Sequence, residues 1–194
     1  MHPKAAIQKI PRNFLPADYK VTDWNSLEPY FSELAERSLN SKAELSQWLQ
    51  DLSELEAVVS EDACWRQIKM TCDTTDKSLE EAFTYFCMEI QPKLQAYADQ
   101  LNKKLIACPF TDELDQSLYH TYLRSVRKSI ELFREENIPI AAELSVLQQQ
   151  YGAIAGKMTV EVDGKEYTLQ QAAKFLESSD RKLRESVYHK IQDR

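Results

Sequence analysis

The sequence predicts a mainly α-helical fold: an antiparallel bundle of long helices with one small β-hairpin near residues 158–168. Three observations carry that prediction. Of the 194 residues only three are glycine, at 152, 156 and 164, so residues 1–151 contain none. Few β-rich chains turn without glycine, whereas long helices do not need it. Apolar residues recur at helical spacing over most of the length. One Asp163-Gly164 pair stands between two short runs, Met158–Val162 and Lys165–Thr168, and marks a tight hairpin turn. Hydrophobic residues make up 43% and charged residues 28%, enough for a core beneath a solvated surface.

Each element follows from local signals. Residues 1–20 carry Pro3, Pro11 and Pro16 with little periodicity and read as an extended arm. A first helix is expected from Asn25 or Ser26, with Pro29 in its first turn, where no N–H is needed. Its apolar face is Leu27, Tyr30, Phe31 and Leu34, and Leu39-Asn40 ends it. Ser41 and Glu44 form a capping-box pattern that opens a second helix. Leu45, Trp48, Leu49, Leu52, Leu55 and Val59 make its stripe, which runs through Trp65 and Ile68 to Met70, with room for a break near Glu61.

Cys72–Lys77 reads as a connection, and Ser78–Glu81 as a second capping box before Leu79, Ala82, Phe83, Phe86 and Ile90. Pro92 should kink or restart that helix, because a mid-helix proline loses a hydrogen bond. Leu94, Tyr97, Leu101 and Leu105 continue the stripe until Pro109. Thr111 is expected to cap a helix with Leu114, Leu118, Tyr122, Val126, Ile130 and Phe133 on one face. Asn137-Ile138-Pro139 resets the chain. A further helix follows through Leu144, Leu147 and Tyr151 to Ile154. After the hairpin, Thr168–Gln171 is a third capping box, and Ser178-Ser179-Asp180 starts a last helix with Leu183, Val187 and Ile191. That helix meets Arg194 without glycine, proline or a polar tail, which reads as a truncated chain.

Composition excludes several function classes. The net charge is −7, with no cluster of Lys and Arg for neutralising phosphates, so nucleic acid is not an expected partner. The basic run Arg181–Arg194 is diluted by Glu185 and Asp193 and reads as a solvated helix face. No signal peptide or membrane span is visible, and Cys64, Cys72, Cys87 and Cys108 form no C-x-x-C pair. Free thiols in a reducing, cytoplasmic setting are the expectation. Cys64 and Cys72 share helix-face spacing and read as small core residues.

No catalytic or metal-binding residue emerges. His2, His120 and His189 are scattered, without H-E-x-x-H or H-x-x-x-H spacing for zinc. His120, near Tyr119 and Tyr122, reads as a helix-surface residue. Gly152 and Gly156 lack the Lys-Ser/Thr of a phosphate loop, and no G-x-S-x-G elbow occurs. Glu54, Glu56, Glu80-Glu81 and Glu135-Glu136 could serve as acid–base groups only in a cleft that shifts their pKa values. They read instead as solvated or first-turn carboxylates. Phe83, Tyr85, Phe86 and Tyr97 read as core and rim.

Residues 132–194 bear a specific resemblance. Glu143-Leu144, Leu147 and Tyr151 lead to a hairpin with Met158-Thr159-Val160, Gly164, Glu166 and Thr168-Leu169; Leu176, Ser178, Asp180-Arg181 and Arg184 follow. This order is similar to the N-terminal region of oligoendopeptidase F-like enzymes, of the M3 family of zinc metallopeptidases. Trp24, Trp48 and the Asp73-Thr74-Thr75-Asp76 link agree with it, so that the resemblance runs from about residue 20 to 194.

The resemblance implies three regions: an arm over 1–20, helical hairpins over 21–110, and oligopeptidase F N-terminal-type helices with the hairpin over 111–194, the catalytic domain being absent. Members are long, nearly all-helical enzymes that hydrolyse short peptides in a closed channel. Their zinc is held by H-E-x-x-H and a downstream glutamate in the C-terminal half, and none of those positions exists here. The resemblance therefore implies a non-catalytic channel wall or lid, inactive alone. It implies no cofactor in this chain, zinc in the parent enzyme, and the parent's catalytic domain and short peptides as partners. An exposed apolar surface and self-association are further expectations. The competing readings are a free-standing helical interaction module and an enzyme with an unrecognised site. The sequence names no substrate-contacting residue.

Overall fold

The computed structural model describes residues 11–74 and 76–194. The first half of the expected arm, residues 1–10, and Thr75 of the Asp73–Asp76 link lie outside the described residues. The fold is a bundle of long helices followed by a small antiparallel hairpin and two short helical elements.

Helix α1 spans Trp24–Glu36. It starts before Asn25 because Asp23 is the cap: its Oδ1 accepts from the Ser26 N–H at 2.9 Å, and the Ser26 hydroxyl returns to the Asp23 backbone. Helix α2, Lys42–Cys72, runs unbroken past Glu61. Ser41 caps it as expected, but the Glu44 carboxylate reaches one residue further back, to the Asn40 N–H at 2.7 Å. The apolar stripe of α2 is buried from Leu45 to Val59, whereas Trp65 and Ile68 are exposed.

Helix α3, Lys77–Tyr85, is capped by Asp76, not Ser78. The carboxylate accepts from both the N–H and the hydroxyl of Ser78, and an anion is the stronger acceptor at a helix N-terminus. A π-turn over Phe86–Ile90 leads into helix α4, Gln91–Ala107. Pro92 thus falls in a first turn, where its missing N–H costs little. α3 doubles back on α2, and the Arg66 guanidinium, paired with Asp62 at 2.6 Å, reaches the Ala82 carbonyl at 3.1 Å.

Pro109–Glu113 form a 3-10 turn that buries Thr111, whose hydroxyl donates to the Leu105 carbonyl. Thr111 closes α4 rather than capping the next helix. Asp115 caps α5, Gln116–Leu132. Leu123 and Val126 are buried on α5, while the expected face residues Leu118 and Tyr122 are exposed. Helix α6 spans Asn137–Lys157 and accommodates Pro139 in its first turn.

Strands β1, Thr159–Val162, and β2, Lys165–Thr168, pair in register Val160 to Tyr167 and Val162 to Lys165. Asp163 and Gly164 turn with φ of 53° and 75°, the left-handed region an Asp-Gly turn supplies. Thr168 and Gln171 form the expected capping box for α7, Leu169–Ala173, which continues as a 3-10 turn over Lys174–Glu177. Asp180 caps α8, Arg181–Gln192.

Among the described residues there are two cores. The larger joins α1, α2, the π-turn, α4 and α5 around Leu27, Leu34, Trp48, Leu55, Ile90 and Leu105. Trp24, Phe31 and Tyr97 meet in it at ring separations of 5.5–5.9 Å. The smaller consists of Val160, Val162, Ala172 and Val187, with Tyr167 and Phe175 edge to face at 5.1 Å. Residues 11–20 adopt neither helix nor strand. They are held by Glu54 of α2, whose carboxylate accepts from the N–H groups of Asn13, Phe14 and Leu15 at 2.8–3.3 Å.

Candidate functional site

The residues that sequence reasoning weighed for chemistry do not converge. His120 on α5 and His189 on α8 are both exposed. Cys64 and Cys72 are exposed, Cys108 is half-buried, and Cys87 is buried, where desolvation pushes its thiol up. Among the described residues no group of three or more His, Cys, Asp or Glu is placed to hold a metal ion. The side chains of the described residues do not fit a zinc centre. No helix among the described residues is long and apolar enough to cross a membrane.

Glu54 has a structural task. Desolvation pushes its carboxyl up, but the three backbone N–H groups and nearby Arg12 outweigh it, and the net shift is downward. Glu56, two residues on, lines a cleft of about 740 Å³ between α2 and α5 with Leu118, Tyr119 and Tyr122. Desolvation there raises the Glu56 carboxyl. Partial desolvation of its ring in this cleft, then the charge of Glu56, pushes the Tyr122 phenol up to about 12.

A second cleft, of about 690 Å³, lies between the distal half of α2, the α3–π-turn segment and α6. Met70, Phe83 and Phe86 give it apolar walls, and Cys64 and Cys87 both line it. Gly152 and Gly156 form part of its α6 side, and a Cβ built on either meets nothing within 4 Å. Gln149 spans the cleft's edge. Its Nε2 donates to Glu80 Oε1 at 3.2 Å, while its own Oε1 is shielded from solvent without a hydrogen-bond partner. No single-residue signal marks Gln149 in the sequence; it becomes informative only once α3 and α6 are side by side.

The other face of α6 is open. Ile140, Leu144, Leu147, Tyr151 and Ile154 are each 53–73% exposed. Their spacing alternates four and three residues, the narrow seam of a helix that packs against another helix. The sequence marks three of these residues as the stripe of a helix, but not that the stripe faces outward.

Comparison with known proteins gives this geometry a context. The family model for the Peptidase M3 N-terminal domain matches residues 14–133. A crystal structure described as oligoendopeptidase F from Bacillus anthracis str. Ames aligns with a TM-score of 0.80 at 21% identity, covering 91% of this chain and 32% of that one. A second structure described as oligoendopeptidase F gives 0.81 at 21% identity, covering 94% and 33%. PZ peptidase A with an inhibitor gives 0.77 at 18% identity, covering 93% and 32%. The chain thus spans about a third of the length of the solved structures it matches. No curated protein sequence matches it. The family model spans more than half of the chain, and the chain therefore belongs to the Peptidase M3 N-terminal domain family.

Proposed function

We propose that this chain is the non-catalytic N-terminal region of an M3-family zinc metallopeptidase that hydrolyses short peptides. Its helices form one wall or lid of the substrate channel, and the catalytic part of the same parent is its partner. Zinc and the water-activating carboxylate belong to that partner. The observation that carries this reading is the open seam of α6, Ile140 to Ile154. A helix in water does not keep five large apolar side chains exposed in one line without a surface to cover them. The solved structures of this fold are about three times as long, which supplies a source for that surface.

The test is reconstitution. The chain and the catalytic part of its parent, made separately, should associate on mixing and cleave a short fluorogenic peptide only together and with zinc. Leu147→Glu should weaken that association. Zinc-dependent cleavage by the pure chain, or no association of the two parts, would overturn the proposal.

A further inference from the structure

We infer that the open seam of α6 is two-fold self-complementary, so that a second copy of this chain docks on it as an antiparallel helix pair. From Ile140 to Ile154 the seam is about 21 Å long at 1.5 Å per residue. Its spacing puts Ile140, Leu147 and Ile154 at one heptad position and Leu144 and Tyr151 at the other. The opposite face of α6, around Ala142, packs on the π-turn and α4 and leaves the seam clear.

The residues flanking the seam choose the direction. Glu143 and Lys157 are the charged residues of α6, and they lie on the same flank, one near each end. Both are exposed, and neither makes an ion pair among the described residues. Parallel pairing would set like ends side by side, with the helix dipoles aligned. Antiparallel pairing about an axis at the level of Gln149 places Glu143 of each copy beside Lys157 of the other and opposes the dipoles. In that register Leu144 faces Ile154 of the second copy, and Leu147 faces its Tyr151, each contact made twice by symmetry. Ala141 meets Ala155, where small side chains let the backbones approach. Gln148 and Gln150, whose amides both donate and accept, meet their own equivalents at the axis. A seam of two heptads falls below the roughly 1,200 Å² at which stable interfaces begin, so the pair is weak and reversible.

This inference rests on the same open seam as the channel-wall reading and adds that the seam is not reserved for the catalytic part: the two occupants exclude one another. Sedimentation equilibrium of the 194-residue chain across micromolar concentrations should show monomer and dimer in reversible exchange. Lys157→Glu and Glu143→Lys should each weaken the dimer about tenfold, because reversal turns two rim attractions into repulsions. The double variant should restore it, with the helix content of all three variants unchanged by circular dichroism. Adding the catalytic part of the parent should dissociate the dimer. A monomer at every concentration, no recovery in the double variant, or a dimer that survives association with the catalytic part would each overturn the inference. A monomer that still reconstitutes would sink this inference and leave the channel-wall reading standing. A dimer with the charge-swap recovery but no reconstitution would count against the channel-wall reading alone.

Discussion

The ammonium nitrogen of Lys104 lies 2.8 Å from the carbonyl oxygen of Leu34, so a side chain of α4 closes the C-terminus of α1. The same nitrogen donates to the carbonyls of Ala35 and Arg37. These are among the carbonyls that a helix end leaves without partners, and a cation there also opposes the helix dipole. Desolvation, followed by the charge of Arg37, holds the Lys104 pKa below its usual value. Lys104→Met should cost about 1.5–3 kcal/mol, the range for hydrogen bonds to a charged group. Urea unfolding checks it: the midpoint should fall with the slope unchanged.

Trp48 shares this junction. Its indole Nε1 donates to the same Leu34 carbonyl at 2.8 Å, and the ring is fully buried. Trp48→Phe keeps most of the apolar area but loses the bond and leaves a gap. A loss of about 1–3 kcal/mol is expected, read by thermal or urea unfolding. In the double variant with Lys104→Met, the two losses should not add, because both act on one carbonyl.

Glu54 makes the stability depend on acid. Its native pKa is lowered, so its contribution is fully present above the unfolded glutamate value. That contribution is lost as pH falls through the lower native value. Glu54→Gln should flatten the stability profile below about pH 5 and leave it sloping less steeply than the parent chain. Hydrogen exchange at the Asn13, Phe14 and Leu15 amides should rise in the same variant.

The two cores share no residue. Val187 is fully buried in the smaller one, and Val187→Ala should remove about 1–2 kcal/mol of local stability. Hydrogen exchange should quicken over 159–192 and stay unchanged in α2, because stability is distributed by cooperative unit. Equal loss of protection in both regions would show that they unfold together.

The seam on α6 predicts the opposite of a core. Leu147 is 59% exposed, so Leu147→Glu should leave stability of the isolated chain within about 0.5 kcal/mol of the parent chain. It should also reduce any self-association seen by sedimentation, since it places a charge in the middle of the apolar line.

Local order was readable from the residues because its causes are local. The missing glycines, the apolar spacing of α2 and α4 and the Asp163-Gly164 turn rest on interactions within a few positions, and the fold class they predict is the one observed. The Thr168–Gln171 capping box is likewise present. Cap identity was less legible where two acceptors compete: Asp76 displaces Ser78, and Asp115 displaces Thr111. A carboxylate near the helix start wins because it binds amides more strongly than a hydroxyl.

Periodicity shows that a helix has an apolar side, but not what lies against it. Trp65, Leu118 and Leu147 follow the same spacing as Trp48 and Leu105, yet the first three are exposed and the last two are buried. The packing of α1, α2, α4 and α5 around one core decides that difference. The clefts arise in the same way, from distances between elements far apart in sequence. The Gln149–Glu80 contact joins two helices separated by α4 and α5. The residues by themselves determined a helical chain with one hairpin and no zinc motif. Tertiary structure decided which apolar faces are spent on the core and which remain open, because burial depends on the neighbour a helix meets and not on its own pattern.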